Sequence, residues 1–285
     1  MPIALAARNI NHELPLLAAL VRAEGDECMD GGMIAGPLIL EIQQPRERIA
    51  THPSWLGNPV QHTLTALGRL RTTHPRLLEQ VSAWDRTDPF GLRLYHLPPN
   101  NIGCLSFHLH RTDDRQGRID CVFSTDVYVV GSAGWVSESF VHEVVCHLMG
   151  TPMGTLTLLA NQVWLPSSPI DWEQRCRVQP DPYTTGQIHP IDLELDAQEF
   201  STWWELLGDT IGEGAPLGTT THLFRRLLPL LKQVEALADE SCTKTQLINW
   251  MKKKLCPMYD IDIIYACIQY LTQSTAVLNP CVIDG

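Results

Sequence analysis

From Ser137 to Met149, apolar residues recur at Phe140, Val141, Val144, Val145 and Leu148, and Gly150 follows. This spacing predicts a well-buried helix that stops at the glycine. Such a helix needs cover, and the neighbouring residues read as strands. The Pro98-Pro99 pair punctuates the entry to a strand from Ile102 to His110, and residues 112–117 form a turn. Ile119-Asp120-Cys121-Val122-Phe123 then returns, so a β-hairpin is expected, with another short strand from Leu156 to Leu159.

Toward the N-terminus, Leu14, Leu16, Leu17, Leu20 and Val21 lie at helical spacing within residues 12–24. Gly31-Gly32 and Gly36-Pro37 interrupt the pattern, and Leu38 to Ile42 reads as a strand. Asn58-Pro59 opens a second helix over about 60–70, and Leu77 to Trp84 fits either a helix or a buried strand. Beyond Pro166 the composition changes, and residues 196–207, 219–239, 243–255 and 260–272 read as amphipathic helices. The expected class is α+β, with a sheet-and-helix core over 1–166 and a mainly helical extension over 167–285.

The 285 residues carry 32 acidic and 21 basic side chains, for a formal net charge of −11. A chain this acidic lacks the Lys/Arg-rich face that a nucleic-acid polymer requires. A hydrophobic content of 44% with 19% charged residues suits a globular protein with a sizeable core. No run approaches the roughly 18 apolar residues of a membrane span, and Pro2 to Ala7 is too short for a secretory signal. Nine cysteines, an odd number without a CxxC pair, point to reduced thiols in a cytoplasmic setting.

Between Leu97 and Pro166 the chain resembles the thymidylate synthase and pyrimidine nucleotide hydroxymethylase family. The resemblance is carried by Leu97-Pro98-Pro99, the Phe107 strand, Ser124-Thr125-Asp126, Gly131, and the helix ending in Gly150-Thr151-Pro152-Met153-Gly154. Pro45-Arg46-Glu47-Arg48-Ile49, Asn58-Pro59 and Ser82-Ala83-Trp84-Asp85 resemble the phage-type branch, as does the helical tail. The resemblance implies a thymidylate-synthase-like core and one-carbon transfer from 5,10-methylenetetrahydrofolate to C5 of a pyrimidine nucleotide. That chemistry needs a thiolate to attack C6, arginines for the phosphate, a side chain to read the base, and a Glu-and-water network for protons.

Most of these groups are missing at the matching positions. Asn100 or Asn101 occupies the nucleophile position, and neither forms a C6 adduct. Cys104 is the nearest thiol, three residues beyond Asn101 on a strand rising about 3.3 Å per residue, and is expected to pack within the strand. Phe123 stands where the phosphate arginine belongs, Gly134 at the base-reading position, Trp164 and Pro166 at the sugar contacts, and Thr65 at the catalytic Glu. Leu77-Leu78 replace the arginine pair donated by a neighbouring subunit, with Arg76 a substitute in a slipped register. What the resemblance leaves is Asp126 as the folate contact, with Ser124, Asn161 and Arg76 for the nucleotide.

Two functions follow as expectations. One is a noncatalytic subunit or ligand-binding protein of nucleotide metabolism, as a homodimer or a heteromer with an intact relative. The other is an enzyme with altered folate-dependent methyl or hydroxymethyl transfer to a pyrimidine nucleotide or another nucleophilic acceptor.

Other groupings read as structural. His142-Glu143-Val144-Val145-Cys146-His147 is a near miss for HExxH. His142 and Cys146 share a helix face, but His147 is turned away by about 140° and a third ligand has no candidate, so no metal is expected. His108 and His110 alternate with Ser106 on one strand face, expected to meet solvent or another subunit. Trp203-Trp204 reads as core or a docking surface, and Lys252-Lys253-Lys254 as the cationic end of a helix.

Overall fold

A computed structural model of the chain describes residues 2–48, 70, 73–85, 87, 91–95, 103–110, 117–130, 134–167, 181–186, 188–190, 246, 249, 262, 265 and 266. The chain divides into two compact units, Met1–Arg48 with Ala66–Pro180, and Ile49–Thr65 with Asp181–Gly285.

The first unit is a mixed sheet with helices, an α+β arrangement. Its elements are β1 (Ile3–Ala7), α1 (Ile10–Glu24), β2 (Asp26–Glu27), β3 (Met33–Ala35), β4 (Leu38–Ile42), α2 (Leu77–Ser82), β5 (Leu92–Tyr95), β6 (Gly103–His110), β7 (Arg118–Val129), α3 (Gly134–Leu148) and β8 (Met153–Leu165). The main sheet runs β1-β4-β8-β7-β6-β5, and β3 pairs with both β2 and the end of β8. β1–β4 and β7–β8 are parallel, and the remaining pairs are antiparallel.

The two parallel pairs explain why the sheet has one dry face. Each is a strand–helix–strand crossover, β1-α1-β4 and β7-α3-β8. The two crossovers step across the sheet in opposite directions from strands that run antiparallel to each other. Right-handed connections then carry both helices to the same face. The residues pointing there are buried: Leu38, Leu40 and Ile42 from β4, Leu156, Leu158 and Ala160 from β8, Cys121 from β7, Leu105 and Phe107 from β6, and Leu94 from β5. Alternation along each strand sends Ile39, Glu41, Thr157, Leu159, Ser124, Cys104, Ser106 and Tyr95 to the opposite face, where all are exposed or half-buried.

Several expectations sharpen. Leu38–Ile42 is a strand with the expected bounds, and the 103–110 and 118–129 strands pair in register as a hairpin. Leu77–Trp84 resolves to a helix over Leu77–Ser82, with Leu77 and Val81 buried. The short strand at Leu156–Leu159 is much longer, Met153–Leu165, because Thr155, Thr157, Asn161 and Gln162 sit on its wetter positions. Polar residues at alternate positions hide a long strand from a reading that looks for apolar runs. Ile3–Ala7, too short for a signal, is an edge strand.

The Gly31-Gly32 break is a tight turn between β2 and β3. Gly31 has φ of 76°, and its N–H donates to the Cys28 carbonyl at 2.9 Å. A Cβ on Gly32 would lie 2.7 Å from Trp164 Nε1 and 2.9 Å from the Leu165 carbonyl oxygen, so only glycine allows this approach to β8.

In the second unit, a 3₁₀ turn at Pro182–Thr185 is capped by Asp181, whose side chain accepts from the Tyr183 N–H at 3.0 Å. The Tyr183 hydroxyl donates to Oδ2 of the fully buried Asp262 at 2.8 Å, and the Asp262 N–H donates to the His189 carbonyl at 3.1 Å. Tyr183→Phe deletes a bond to a buried carboxyl group. It should cost about 2 kcal/mol, read from the midpoint of urea unfolding followed by circular dichroism; an unchanged midpoint would sink this assignment. Residues 246, 249, 262, 265 and 266 are helical. The expected helices over 60–70, 196–207, 219–239, 243–255 and 260–272 otherwise lie outside the described residues, as do Trp203-Trp204 and Lys252-Lys253-Lys254. Among the described residues, no helix is long and apolar enough to cross a membrane.

Candidate functional site

Strand register alone assembles a cleft on the open face. Tyr95 is the Cα partner of Cys104, Cys104 of Ser124, Ser124 of Leu159, and Leu159 of Ile39. These five side chains form one row across β5, β6, β7, β8 and β4. Asp126 and Asn161 stand on the same strands two residues further on, where Asn161 Nδ2 donates to Asp126 Oδ1 at 3.0 Å. Together these residues line a cavity of about 460 Å³, within the range of small-molecule sites.

The cleft lies where the alternation of burial changes phase. On β7 the buried positions are Ile119, Cys121 and Thr125, then Tyr128, with Val130 buried just past the strand's end. On β8 they are Gly154, Leu156, Leu158 and Ala160, then Val163 and Leu165. The change falls at Asp126–Val127 on one strand and Asn161–Gln162 on its neighbour. The open face therefore ends at the Asp126–Asn161 pair, and beyond it the same side of the strands is covered.

Ser124, Asp126 and Asn161, chosen from sequence, meet in this cleft. Arg76 does not join them among the described residues: it flanks the start of α2, is largely exposed, and its Nε donates to Glu79 Oε2 at 2.9 Å. Asn100 and Asn101 lie outside the described residues. Phe123 shares its side of the sheet with Leu105 and Leu158, opposite Ser124.

Cys104 lies within β6, as expected, and it also reaches the cleft. Its side chain is half-buried on the open face and lines the cleft, with Sγ 3.8 Å from Ser106 Oγ. Strand pairing sets Cys104 directly across from Ser124. What the sequence reading missed was that distance along a strand says little about distance across it. Tyr95, Ile39 and Leu159 were missed for the same reason.

The other polar groups are structural. His142 is fully buried, its Nε2 lies 2.7 Å from the Ile119 carbonyl oxygen, and its ring stacks obliquely at 6.0 Å from Phe107. Burial, reinforced by the nearby Arg48 charge, pushes its pKa down to about 4, against an opposing effect of the Ile119 bond and Asp120. Burial also raises the Cys121 and Cys146 thiols, so neither is a ready thiolate. Asp120 accepts from the Thr155 N–H at 2.9 Å and pairs with His110 and Arg118 at 3.3 Å each. Among the described residues, no three His, Cys, Asp or Glu side chains are placed to hold a metal ion.

Compared with known proteins, the chain matches no protein family and no curated protein.

Proposed function

We propose that this chain is a divergent thymidylate-synthase-like protein of nucleotide metabolism, with a thymidylate-synthase-like core, that binds a ligand in the open-face cleft and has lost the thiolate mechanism. The observation that carries the reading is the meeting of Ser124, Asp126 and Asn161 in one cleft. The resemblance assigns these three to nucleotide and folate contact from two separate stretches, Ser124-Thr125-Asp126 and Asn161. Phe123 supports loss of the inherited activity, since an apolar ring replaces a phosphate arginine and sits on the helix-covered side of the sheet. The assembly that belongs with this reading is a homodimer or a heteromer with an intact relative, in the cytoplasm.

Tritium release from C5 of dUMP or dCMP, with 5,10-methylenetetrahydrofolate present, should stay at background, and turnover would overturn the proposal. Ligand binding should raise the melting temperature of the full chain. Asp126→Ala should remove most of that rise, and an unchanged rise would dissociate the cleft from binding.

The position of Cys104 favours a second reading, altered one-carbon transfer with folate held at Asp126. A thiol in the same cleft is a candidate nucleophile. Tritium release that disappears in Cys104→Ser would select this reading over the first.

A further inference from the structure

We infer that a second copy of this chain docks on the open face of the sheet, face to face, about a two-fold axis that runs along β7. The homodimer rather than the heteromer is then the assembly, whether or not the cleft holds a ligand.

Strand register lays the face out in rows across β5, β6, β7, β8 and β4. One is the cleft row, Tyr95, Cys104, Ser124, Leu159 and Ile39, and the row beside it is Arg93, Ser106, Val122, Thr157 and Glu41. The ends of both rows are open: Tyr95 is 62% exposed and Ile39 47%, and Arg93 and Glu41 are exposed as well. Burying such an aromatic ring and aliphatic side chain favours association. Apolar exposure alone does not say what covers the face; the charges do. Arg93 and Glu41 have no ion-pair or side-chain hydrogen-bond partner among the described residues. Four strand spacings, about 19 Å, keep them from reaching each other within one chain.

A two-fold axis parallel to β7, lying between the two sheets, keeps each row in place and exchanges its ends. Arg93 of each copy then meets Glu41 of the other, Tyr95 meets Ile39, and Cys104 meets Leu159. Ser106 meets Thr157, hydroxyl facing hydroxyl, while Val122 and Ser124 on the axis meet their own counterparts. Every position is matched by apolar surface, a hydroxyl or the opposite charge, as an isologous interface requires. Packed sheets lie about 10 Å apart, a gap that the long Arg93 and Glu41 side chains bridge. The carboxylates beyond the two rows on β7 are already partnered within one copy, Asp126 by Asn161, and Asp120 by His110 and Arg118. They mark the rim, and the Asp126–Asn161 end of the cleft stays at it.

Sedimentation equilibrium of the full chain over a range of concentrations tests the inference. The chain should form a dimer at micromolar concentration. Arg93→Glu and Glu41→Arg should each weaken that dimer about tenfold or more, because each sets like charges together at both symmetry-related contacts. Mixed one to one, the two variants should recover most of the wild-type affinity, since each supplies the charge that the other lost. Both positions are exposed, so circular dichroism of each variant should match the wild type. A wild-type chain that stays monomeric overturns the inference, as does a dimer that neither substitution weakens, or a mixture no tighter than either variant alone. A monomer whose melting temperature still rises with ligand would overturn the docking face and leave the cleft a ligand site.

Discussion

Glu143→Ala should destabilise the sheet-bearing unit by about 3–5 kcal/mol, the largest loss expected from a single polar substitution among the described residues. Arg48 is only 1% exposed, its guanidinium lies 3.6 Å from the centre of the Phe140 ring, and one of its nitrogens bonds Glu143. Arg46 Nε approaches the other carboxylate oxygen at 3.3 Å. One buried carboxylate on α3 thus holds two arginines of the segment that follows β4. Removing it takes the counter-charge from a guanidinium that water does not reach. The nearby Arg8–Glu47 pair, bonded at 2.7 Å through Nε, is worth less because Arg8 is 45% exposed. Urea unfolding of the variant measures the loss, and a change below about 1 kcal/mol would contradict a desolvated pair. The double variant Arg48→Met with Glu143→Leu should recover most of the stability, because a matched apolar pair carries no desolvation cost. Recovery would separate the charge effect from lost packing.

This cluster also shows what a sequence conceals. Pro45-Arg46-Glu47-Arg48 stood out as a short word of resemblance, and Glu143 as part of a near miss for a metal helix. Nothing in their spacing says that they belong to each other, since the pairing is set by where β4 ends relative to α3. The elements with strong local signals were legible: α1, α3, β4 and the β6–β7 hairpin follow from apolar periodicity and turn residues. β8 was legible only in its apolar middle, because alternation with threonine, asparagine and glutamine makes half of it look like loop. β2, β3 and β5 are too short to announce themselves, and β5 is one end of the row that lines the cleft.

The site divides along the same line. Ser124, Asp126 and Asn161 were legible through resemblance, which compares positions without needing their geometry. Cys104, Tyr95, Ile39 and Leu159 depend on cross-strand register, and that emerges only when five strands are laid side by side. Arg76 shows the converse: a residue type suited to a nucleotide is occupied by a neighbour one helical turn away. The acidic balance of the whole chain reads the same way at the cleft, where the charge on the floor is a carboxylate.

A second large effect should appear as a pH dependence centred on His142. Its ring is buried against Phe107, with Nε2–H donating to the Ile119 carbonyl and Nδ1 buried without a hydrogen-bond partner among the described residues. Neutral imidazole suits this place, because a proton on Nδ1 would bring an unsolvated charge close to Arg48. The pKa accordingly falls from an ordinary 6.5 to about 4. The direction of the effect follows from proton counting. Between these two values the unfolded chain binds a proton that the folded chain refuses, so acid favours unfolding. Stability from this residue is fully present above pH 6.5, declines as the pH falls, and is lost by about pH 4; the whole span is worth about 3 kcal/mol. Carboxylates titrate in the lower half of that window, so the informative quantity is the difference between the protein and His142→Gln. Glutamine retains an amide N–H for the Ile119 carbonyl and does not titrate. The wild-type chain should lose about 3 kcal/mol more than His142→Gln between pH 7 and pH 4, measured by urea unfolding at each pH. Parallel curves for the two proteins would show that His142 titrates normally, and so is not held neutral by its burial.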